Sequence, residues 1–249
     1  MDLRGTVSIV TGGNGGLGQR ICLALAKKGS QIAVVYAASK TSAENFSDEL
    51  RSSGFEAKAF QCDVSSPIQV ENLVTNVEEH FSRVDILIND AAYNKMIAFN
   101  DLDSLTHEEW TKILDINLTG PMLTTKAVAP SMMKRSNGRI VNISSVAGLA
   151  PSGSSIAYAV SKAGLNHLTR CMAVGLAPHI LVNCIAPGHL EGTRATANLD
   201  PGFSKSAREG SLLKRSADKD DIANQVVSFC ETDSVTGQTL VIDAGRYFH

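Results

Sequence analysis

The sequence predicts an α/β fold, a single doubly wound parallel sheet with helices on both faces. Short runs of apolar, often β-branched residues alternate with longer amphipathic stretches along the chain. Strands that alternate with helices indicate a parallel sheet, because each crossover helix carries the chain back to the same end of the sheet. No repeat, low-complexity tract or linker interrupts the alternation. We therefore expect residues 1–249 to form one domain.

Apolar runs bounded by turn residues predict seven strands, and the helices follow from the 3.6-residue period of the stretches between them. The strands are Val7–Thr11, Gln31–Tyr36, Ala57–Cys62, Val84–Asn89, Ile140–Ile143, Ile180–Ile185 and Thr239–Ile242. The helices are Leu17–Lys28, Ser42–Ser52, Pro67–Phe81, Glu108–Lys134, Tyr158–Ala177 and Asp220–Cys230. We expect the long fourth helix to kink near Pro121 and Pro130. Ligands of such sheets bind at the carboxyl ends of the strands, so the loops there are the candidate site.

Composition narrows the class of protein. The chain has 43% hydrophobic and 19% charged residues, a formal net charge of −2, and no block of five like charges. These values indicate neither nucleic acid nor an anionic membrane as a partner. No apolar stretch approaches the length of a membrane span and no signal-peptide core precedes the first strand, so we expect a cytoplasmic protein.

The cysteines indicate neither a disulfide framework nor a metal site. Their number is odd, their positions are scattered, and no two of them form a C-x-x-C pair. All five lie in apolar surroundings, which predicts that they fill the core. They are Cys22, Cys62, Cys171, Cys184 and Cys230.

A glycine-rich turn joins the first strand to the first helix, with the sequence Thr11-Gly12-Gly13-Asn14-Gly15-Gly16-Leu17-Gly18. Glycine lets the backbone turn sharply and approach a pyrophosphate, whose charge is met by the helix N-terminus. The cluster could instead be only a tight turn, but the strand before it and the helix after it favour dinucleotide binding. Asp63, at the end of the third strand, either caps the next helix or meets an adenine amino group.

Tyr158 and Lys162 lie one helical turn apart, after a loop of small residues that contains Ser144 and Ser145. The i, i+4 spacing brings an ammonium close to a phenol. A single charge at about 4 Å supplies roughly 4 kcal/mol at an effective dielectric of about 20. That amount would move a pKa of about 10 to near neutrality, as an acid catalyst needs. The alternative is a half-buried aromatic residue beside a solvated amine, and only the context decides between them.

In their order along the chain, the motifs resemble those of the short-chain dehydrogenase/reductase family, and in particular its 3-oxoacyl reductase and ketoreductase members. Thr11-Gly12-x-x-x-Gly16-x-Gly18 resembles the cofactor motif, Asp63-Val64 the adenine contact, and Tyr158-x-x-x-Lys162 the catalytic pair. Asn117 matches the family's helix asparagine, and Pro187-Gly188 matches the turn beside the nicotinamide. Ser145, 13 residues before Tyr158, matches the catalytic serine better than Ser144 does. The resemblance covers nearly the whole chain.

The resemblance implies a Rossmann-like sheet and hydride transfer between a nicotinamide cofactor and a carbonyl or alcohol. Tyr158 would give the proton, Ser145 would hydrogen-bond the same oxygen, and Lys162 would lower the pKa of the tyrosine and hold the nicotinamide ribose. Asn117 would disrupt its helix and hold a water that links Lys162 to solvent. The implied cofactor contacts are Gly12, Asn14, Gly16, Leu17, Gly18, Tyr36, Ser39, Lys40, Asp63, Val64, Asn89, Ala91, Tyr158, Lys162, Pro187, Gly188 and Leu190.

Two features of this chain depart from the family pattern or leave it open. The family's Asn-Asn-Ala-Gly reads Asn89-Asp90-Ala91-Ala92 here, which puts a carboxylate near the cofactor. The expected substrate lid, His189–Leu212, is a polar loop that fits many ketones. We read His189 as a surface residue and Trp110 as a core residue, while Tyr93 and Met96 are candidates for lining the pocket.

The end of the second strand predicts NADP rather than NAD. An NAD site usually has an acidic residue there, which would repel a 2′-phosphate. This chain reads Val35-Tyr36-Ala37-Ala38-Ser39-Lys40 and has no carboxylate until Glu44. The Ser39 hydroxyl and the Lys40 charge would hold the phosphate.

Two function classes follow from these residues. The first is an NADP-dependent ketone reductase that acts on a small-molecule carbonyl or alcohol; the second is a dinucleotide-binding sensor or assembly subunit without catalysis. A sugar-nucleotide epimerase is disfavoured, because no residues remain for a sugar-nucleotide domain. The resemblance also implies a homotetramer that pairs through the two long helices, and the Tyr158 helix has an apolar set for such contacts: Ala163, Leu165, Leu168, Met172 and Leu176.

Overall fold

We describe the protein from a computed structural model, in which the described residues are 1–193, 196 and 201–248. Its strands are β1 Val7–Thr11, β2 Gln31–Tyr36, β3 Ala57–Gln61, β4 Ile86–Asn89, β5 Gly138–Ile143, β6 Ile180–Pro187 and β7 Thr239–Ile242. Its helices are α1 Gly18–Lys27, α2 Lys40–Ser52, α3 Pro67–Phe81, α4 His107–Leu114, α5 Gly120–Lys134, α6 Ile156–Leu176, α7 Pro201–Glu209 and α8 Lys219–Glu231.

The seven strands form one parallel sheet in the order β3-β2-β1-β4-β5-β6-β7. The order reverses between β1 and β4, so the loops that follow these two strands diverge and leave a crevice at their carboxyl ends. β1 and β4 are buried along their whole length, as strands covered on both faces must be. The predicted fold class and the seven strands are confirmed.

Two apolar clusters cover the two faces of the sheet. One joins the sheet to α1, α2 and α8 through residues such as Ile21, Leu50 and Val226. The other joins it to α3, α5 and α6 through residues such as Leu73 and Met132. The helices therefore flank the sheet on both sides, as predicted.

The long helix predicted over Glu108–Lys134 is interrupted, but not where its prolines indicated. A single π-helical turn, Asp115–Thr119, separates α4 from α5, and Pro121 follows it in the first turn of α5. Pro130 stands inside α5, which continues to Lys134. Proline is tolerated in the first helical turn, where its missing N–H has no partner to lose.

Three further expectations need correction. The segment His189–Leu212 was predicted as a polar loop, but part of it is the helix α7. Two polar residues of the predicted loop, Arg194 and Asp200, lie outside the described residues. Cys171 is exposed, although the other four cysteines are buried as expected. Of the apolar set on α6, Leu165 is buried and so not available to a partner, whereas Met172 and Leu176 are partly buried against the chain's own core.

Within the part of the chain that the structure describes, no helix has both the length and the apolar character needed to cross a membrane. The same residues contain no group of three or more His, Cys, Asp or Glu side chains that could hold a metal ion.

Candidate active site

A cleft of about 420 Å³ lies at the carboxyl end of the sheet, in the crevice between the β1 and β4 loops. It is lined by thirteen of the predicted cofactor residues: Gly12, Asn14, Gly16, Leu17, Tyr36, Asp63, Val64, Ala91, Tyr158, Lys162, Pro187, Gly188 and Leu190. Ser145 lines it as well. The predicted residues that do not line it are Gly18, Ser39, Lys40, Asn89 and Asn117.

The glycine-rich turn forms a close-packed cradle at the start of α1. A Cβ atom at Gly18 would overlap the Gly12 carbonyl oxygen, and a Cβ at Gly16 would overlap the carbonyl oxygen of Gly192. The N-terminus of α1 has no side-chain cap and no acidic residue in its first turn. Its positive end is therefore available to an anion, and these residues fit the pyrophosphate of a dinucleotide.

Asp63 lies at the end of β3, on the wall of the cleft. Its Oδ1 accepts hydrogen bonds from the Ser65 backbone N–H at 2.9 Å and from the Ser65 hydroxyl at 2.6 Å. The cap of α3 is Ser66, so the reading of Asp63 as a helix cap is wrong. Asp63 is held by its turn and stays at the cleft as an acceptor.

Ser39 and Lys40 begin α2 beside the cleft but are not among its lining residues. The Asn14 side-chain amide donates to the Ser39 carbonyl oxygen at 3.3 Å, which ties this corner to the glycine-rich turn. The Lys40 ammonium lies 3.8 Å from a Glu44 carboxylate oxygen, and both side chains are largely exposed. An exposed pair of this kind is weak, so Lys40 can exchange Glu44 for another anion.

Tyr158 lies in the first turn of α6, whose N-cap Ser155 accepts a hydrogen bond from the Tyr158 backbone N–H at 3.1 Å. Gly153 packs so closely on the tyrosine ring that a Cβ there would lie 3.2 Å from Cδ1. Ser145 is the second residue after β5, and its side chain is hydrogen-bonded to Tyr158. The Ser144 hydroxyl donates instead to the Lys162 carbonyl oxygen at 3.0 Å. Of the two serines, Ser145 therefore contacts the tyrosine.

Lys162 is almost fully buried, and its ammonium donates to the Ile143 carbonyl oxygen at 2.8 Å. Burial lowers the pKa of Lys162 to about 8, while the charges of Asp90 and Cys184 oppose the shift. Burial likewise raises the pKa of Tyr158, and the hydrogen bond from Ser145 opposes that rise. The expectation that Lys162 brings the pKa of Tyr158 down is wrong for this arrangement, because the ammonium lies 5.8 Å from the ring centroid and desolvation outweighs it.

Asn117 lies in the π-helical turn, buried behind the cleft, which agrees with the predicted disruption of its helix. Its side-chain oxygen accepts from the Tyr93 backbone N–H at 2.8 Å, and its amide donates to the Tyr93 carbonyl oxygen at 2.9 Å. The amide also donates to the Ser161 hydroxyl at 3.1 Å, and Ser161 donates to the Tyr158 carbonyl oxygen. Asn117 thus links the β4 loop to the helix of Tyr158.

Asn89, predicted as a cofactor contact, lies inside the fold instead. Its amide donates to the Asn142 side-chain oxygen at 2.8 Å, and its own oxygen accepts from Thr124 at 2.7 Å. A buried amide is stable only when its donors and acceptors are paired, and this network pairs them between strands and α5. Asn89 therefore holds β4 against its neighbours, and the next residue, Asp90, is the one that faces the cleft.

Asp90 places a carboxyl group at the wall of the cleft. Burial raises the pKa of Asp90 to about 7, and the positive charge of Lys162 limits the rise. The Asp90 charge in turn raises the pKa values of Tyr158, Lys162 and Cys22. The departure from the family's asparagine therefore changes the electrostatics of all the groups around it.

The sequence reasoning missed two residues at the end of the chain, Arg246 and Tyr247, which line the cleft. They come a few residues after β7, at the same edge of the sheet as the other loops of the site. Because ligands of parallel sheets bind at the carboxyl ends of the strands, this position could have identified them. His189 also lines the cleft, so the reading of it as a surface residue is wrong; burial lowers its pKa. Tyr93 lines the cleft as anticipated, whereas Met96 is half exposed outside it and Trp110 is only partly buried.

The raised pKa of Asp90 predicts a pH-dependent stability. An unfolded aspartate ionises at a pKa of about 3.9, so as pH rises towards 7 the unfolded chain loses this proton before the folded protein does. The wild type should therefore lose stability relative to Asp90→Asn between about pH 4 and pH 7, by about 1.4 kcal/mol per unit. Urea unfolding at a series of pH values measures the difference. Parallel curves for the two proteins across that window would show that Asp90 ionises normally.

Comparison with known proteins agrees with this geometry. A family model described as short chain dehydrogenase matches residues 6–202. The chain is 35% identical over 248 residues to the 3-oxoacyl-[acyl-carrier-protein] reductase of Synechocystis sp., covering 98% of this chain and 97% of the relative. The structure resembles the NADPH-dependent 3-quinuclidinone reductase of Rhodotorula rubra, with a TM-score of 0.91, 25% identity and coverage of 98% and 92% of the two chains. It also resembles an NAD⁺-bound xylitol dehydrogenase, with a TM-score of 0.89, 30% identity and coverage of 98% and 100%. The resemblance seen in the sequence is confirmed: the chain belongs to the short-chain dehydrogenase/reductase family of NAD(P)-dependent oxidoreductases.

Proposed function

We propose that this protein transfers a hydride between NADPH and a ketone or secondary alcohol, with Tyr158 as the general acid and base. One observation carries the proposal: Ser145, Tyr158 and Lys162 meet at one wall of a cleft that also contains the glycine-rich cradle and Asp63. A protein that only bound the dinucleotide would have no need of a serine hydrogen-bonded to a buried phenol. The non-catalytic alternative is therefore disfavoured.

In the direction of reduction, the residues of the cleft would hold a reduced nicotinamide, and the chemistry that this group would supply is a hydride for the carbonyl carbon. The electron pair of the C=O π bond then moves to the oxygen, which takes the proton of the Tyr158 hydroxyl. Ser145 donates a hydrogen bond to the same oxygen and stabilises the charge that develops there. The Tyr158 phenol is the proton donor in this direction, and the hydrogen bond from Ser145 lowers the pKa of that phenol against the opposing effect of burial.

Lys162 and Asn117 act on the position of the reacting groups. The Lys162 ammonium donates to the Ile143 carbonyl oxygen at the wall of the cleft, and its remaining protons would be the donors that hold the nicotinamide ribose. Asn117 holds the backbone at Tyr93 and, through Ser161, the first turn of α6. We also propose that residues 189–212 form the substrate lid of a single catalytic domain that spans residues 1–249.

Removal of the Tyr158 hydroxyl tests the assignment. Tyr158→Phe keeps the ring but lacks the proton donor, and general acid catalysis contributes about 10² to 10⁴ in rate. We expect turnover to fall by at least a few hundredfold, while NADPH still binds, as measured by its fluorescence. Tyr93→Phe is the matched control: its ring lines the same cleft, but its hydroxyl is engaged with Glu109 at 3.3 Å. If Tyr158→Phe kept more than about a tenth of the activity, another group would be the acid.

Lys40 supports a preference for NADPH. The β2 end carries no carboxylate before Glu44, and a charge-assisted hydrogen bond from Lys40 to a 2′-phosphate corresponds to about a tenfold preference or more. Lys40→Ala should lower the ratio of kcat/KM for NADPH over NADH by about that factor. Glu44→Gln should raise the ratio, because Glu44 competes for the Lys40 ammonium. Lys27→Ala, at the exposed end of α1, is the control; equal efficiency with NADH in the wild type would contradict the preference.

We further propose a homotetramer that pairs through α5 and α6. Val160 and Val174 are exposed on α6 and Met133 is exposed on α5, which supports burial of these helices against a second copy. Sedimentation velocity at micromolar concentration should show one species of four chains. A monomer under those conditions would contradict the assembly.

A further inference from the structure

The segment after β7 is fixed in place over the cleft. The Asp243 carboxylate accepts hydrogen bonds from the backbone N–H groups of Gly245, Arg246 and Tyr247 at 2.9, 3.0 and 2.7 Å. From the other side, the backbone N–H groups of Leu212 and Leu213 donate to the carbonyl oxygens of Gly245 and Ala244, both at 3.1 Å. Arg246 therefore projects from an anchored turn.

This turn adjoins the reacting end of the cleft. The Tyr247 hydroxyl lies 3.5 Å from the Ser152 hydroxyl, and the next residue, Gly153, packs on the ring of Tyr158. Arg246 and Tyr247 both line the cleft that contains Tyr158 and Ser145. Arg246 therefore lines the cleft beside the turn that packs on Tyr158, and its guanidinium also lies next to Gly210, just after α7.

Arg246 forms no ion pair with an anionic side chain among the described residues, whereas Arg208 does. Arg208 lies 2.6 Å from a Glu191 carboxylate oxygen, which neutralises it. No ion pair between described residues includes Arg246, and the nearby Asp243 carboxylate is engaged by three backbone N–H groups. The Arg246 guanidinium carbon lies 5.6 Å from the centre of the Tyr247 ring, a contact that restrains the side chain.

From this arrangement we infer that Arg246 is a specificity residue that selects carbonyl substrates bearing an anionic group, which its guanidinium binds while the carbonyl faces Tyr158 and Ser145. A guanidinium matches a carboxylate or phosphate by two parallel N–H···O bonds, which gives geometric selection as well as attraction. The anion could be the carboxylate of a small oxo acid or the phosphate of a thioester carrier, and both present the same chemistry to Arg246. This inference rests on the proposed reductase function.

Matched pairs of substrates test the inference. The pairs are 4-oxopentanoate with its methyl ester, and acetoacetyl-coenzyme A with the neutral N-acetylcysteamine thioester of acetoacetate. The wild type should prefer the anionic member of at least one pair by about tenfold in kcat/KM. Arg246→Gln should abolish that preference by raising KM for the anion about tenfold, a change much larger than its effect on kcat/KM for the neutral member.

The controls separate a specificity role from a structural one. Arg215→Gln removes an exposed arginine that does not line the cleft and should keep the preference. Arg246→Lys keeps the positive charge but loses the paired N–H donors of the guanidinium, so it should retain part of the preference for the anionic substrate. Equal use of both members of each pair by the wild type, or loss of the neutral substrate together with the anion in Arg246→Gln, would overturn the inference.

Failure of the proposed function would be visible separately. If no ketone were reduced with either nucleotide, the reductase proposal would fail. Calorimetric titration of 4-oxopentanoate and of its methyl ester into the protein with NADP⁺ would then decide the inference. Tighter binding of the acid that depends on Arg246 would support the site, and equal binding of acid and ester would overturn it.

Discussion

The attachment of α6 to the end of β5 is the constraint on which the site depends. The Lys162 ammonium donates to the Ile143 carbonyl oxygen, and the Ser144 hydroxyl donates to the Lys162 carbonyl oxygen. Gly148 completes the attachment, because a Cβ there would lie 2.6 Å from the Lys162 carbonyl carbon. One lysine is therefore bound to the strand through both its side chain and its backbone. Because Tyr158 is one turn away on the same helix, its position is set by the same contacts.

The electrostatics of the site follow from the burial of its charged groups. Desolvation favours the neutral form of every ionisable group, so the pKa values of Asp90 and Tyr158 rise while the pKa of Lys162 falls. Asp90 and Lys162 limit one another's shifts by mutual attraction. Their pKa values of about 7 and about 8 leave both groups able to change charge near neutral pH. A family member with asparagine in place of Asp90 would lack one of these two charges.

The fold could be predicted because strands and helices of a parallel sheet have different periods and the chain alternates between them. The break before α5 lies at the π-helical turn of Asn117, as the family resemblance implied, and not at the prolines; the buried bonds of Asn117 to Tyr93 hold this turn. These bonds join residues distant in sequence, and no local pattern encodes them.

The contrast between local sequence patterns and contacts distant in sequence also explains which site residues could be predicted. Motif residues such as Gly16, Tyr158 and Ser145 could be placed in the cleft because their motifs resemble those of the family. The role of Asn89 could not, because its hydrogen bonds depend on which strand and helix lie beside β4. The pKa of Tyr158 was misjudged for a related reason, since spacing gives the nearness of a charge but not the loss of solvent. Arg246 was missed because no short motif marks it and only the topology brings it to the cleft.

The central claim is that this cleft transfers a hydride directly from the nicotinamide to a carbonyl carbon. NADPH deuterated at C4 of the nicotinamide ring tests it most directly, in single-turnover reactions with a panel of oxo acids and their esters. We predict deuterium on the carbinol carbon of the alcohol product, detected by mass spectrometry and NMR, with label transferred from one face of the ring only. If NADPH bound in the cleft and no ketone acquired deuterium, the claim would be contradicted.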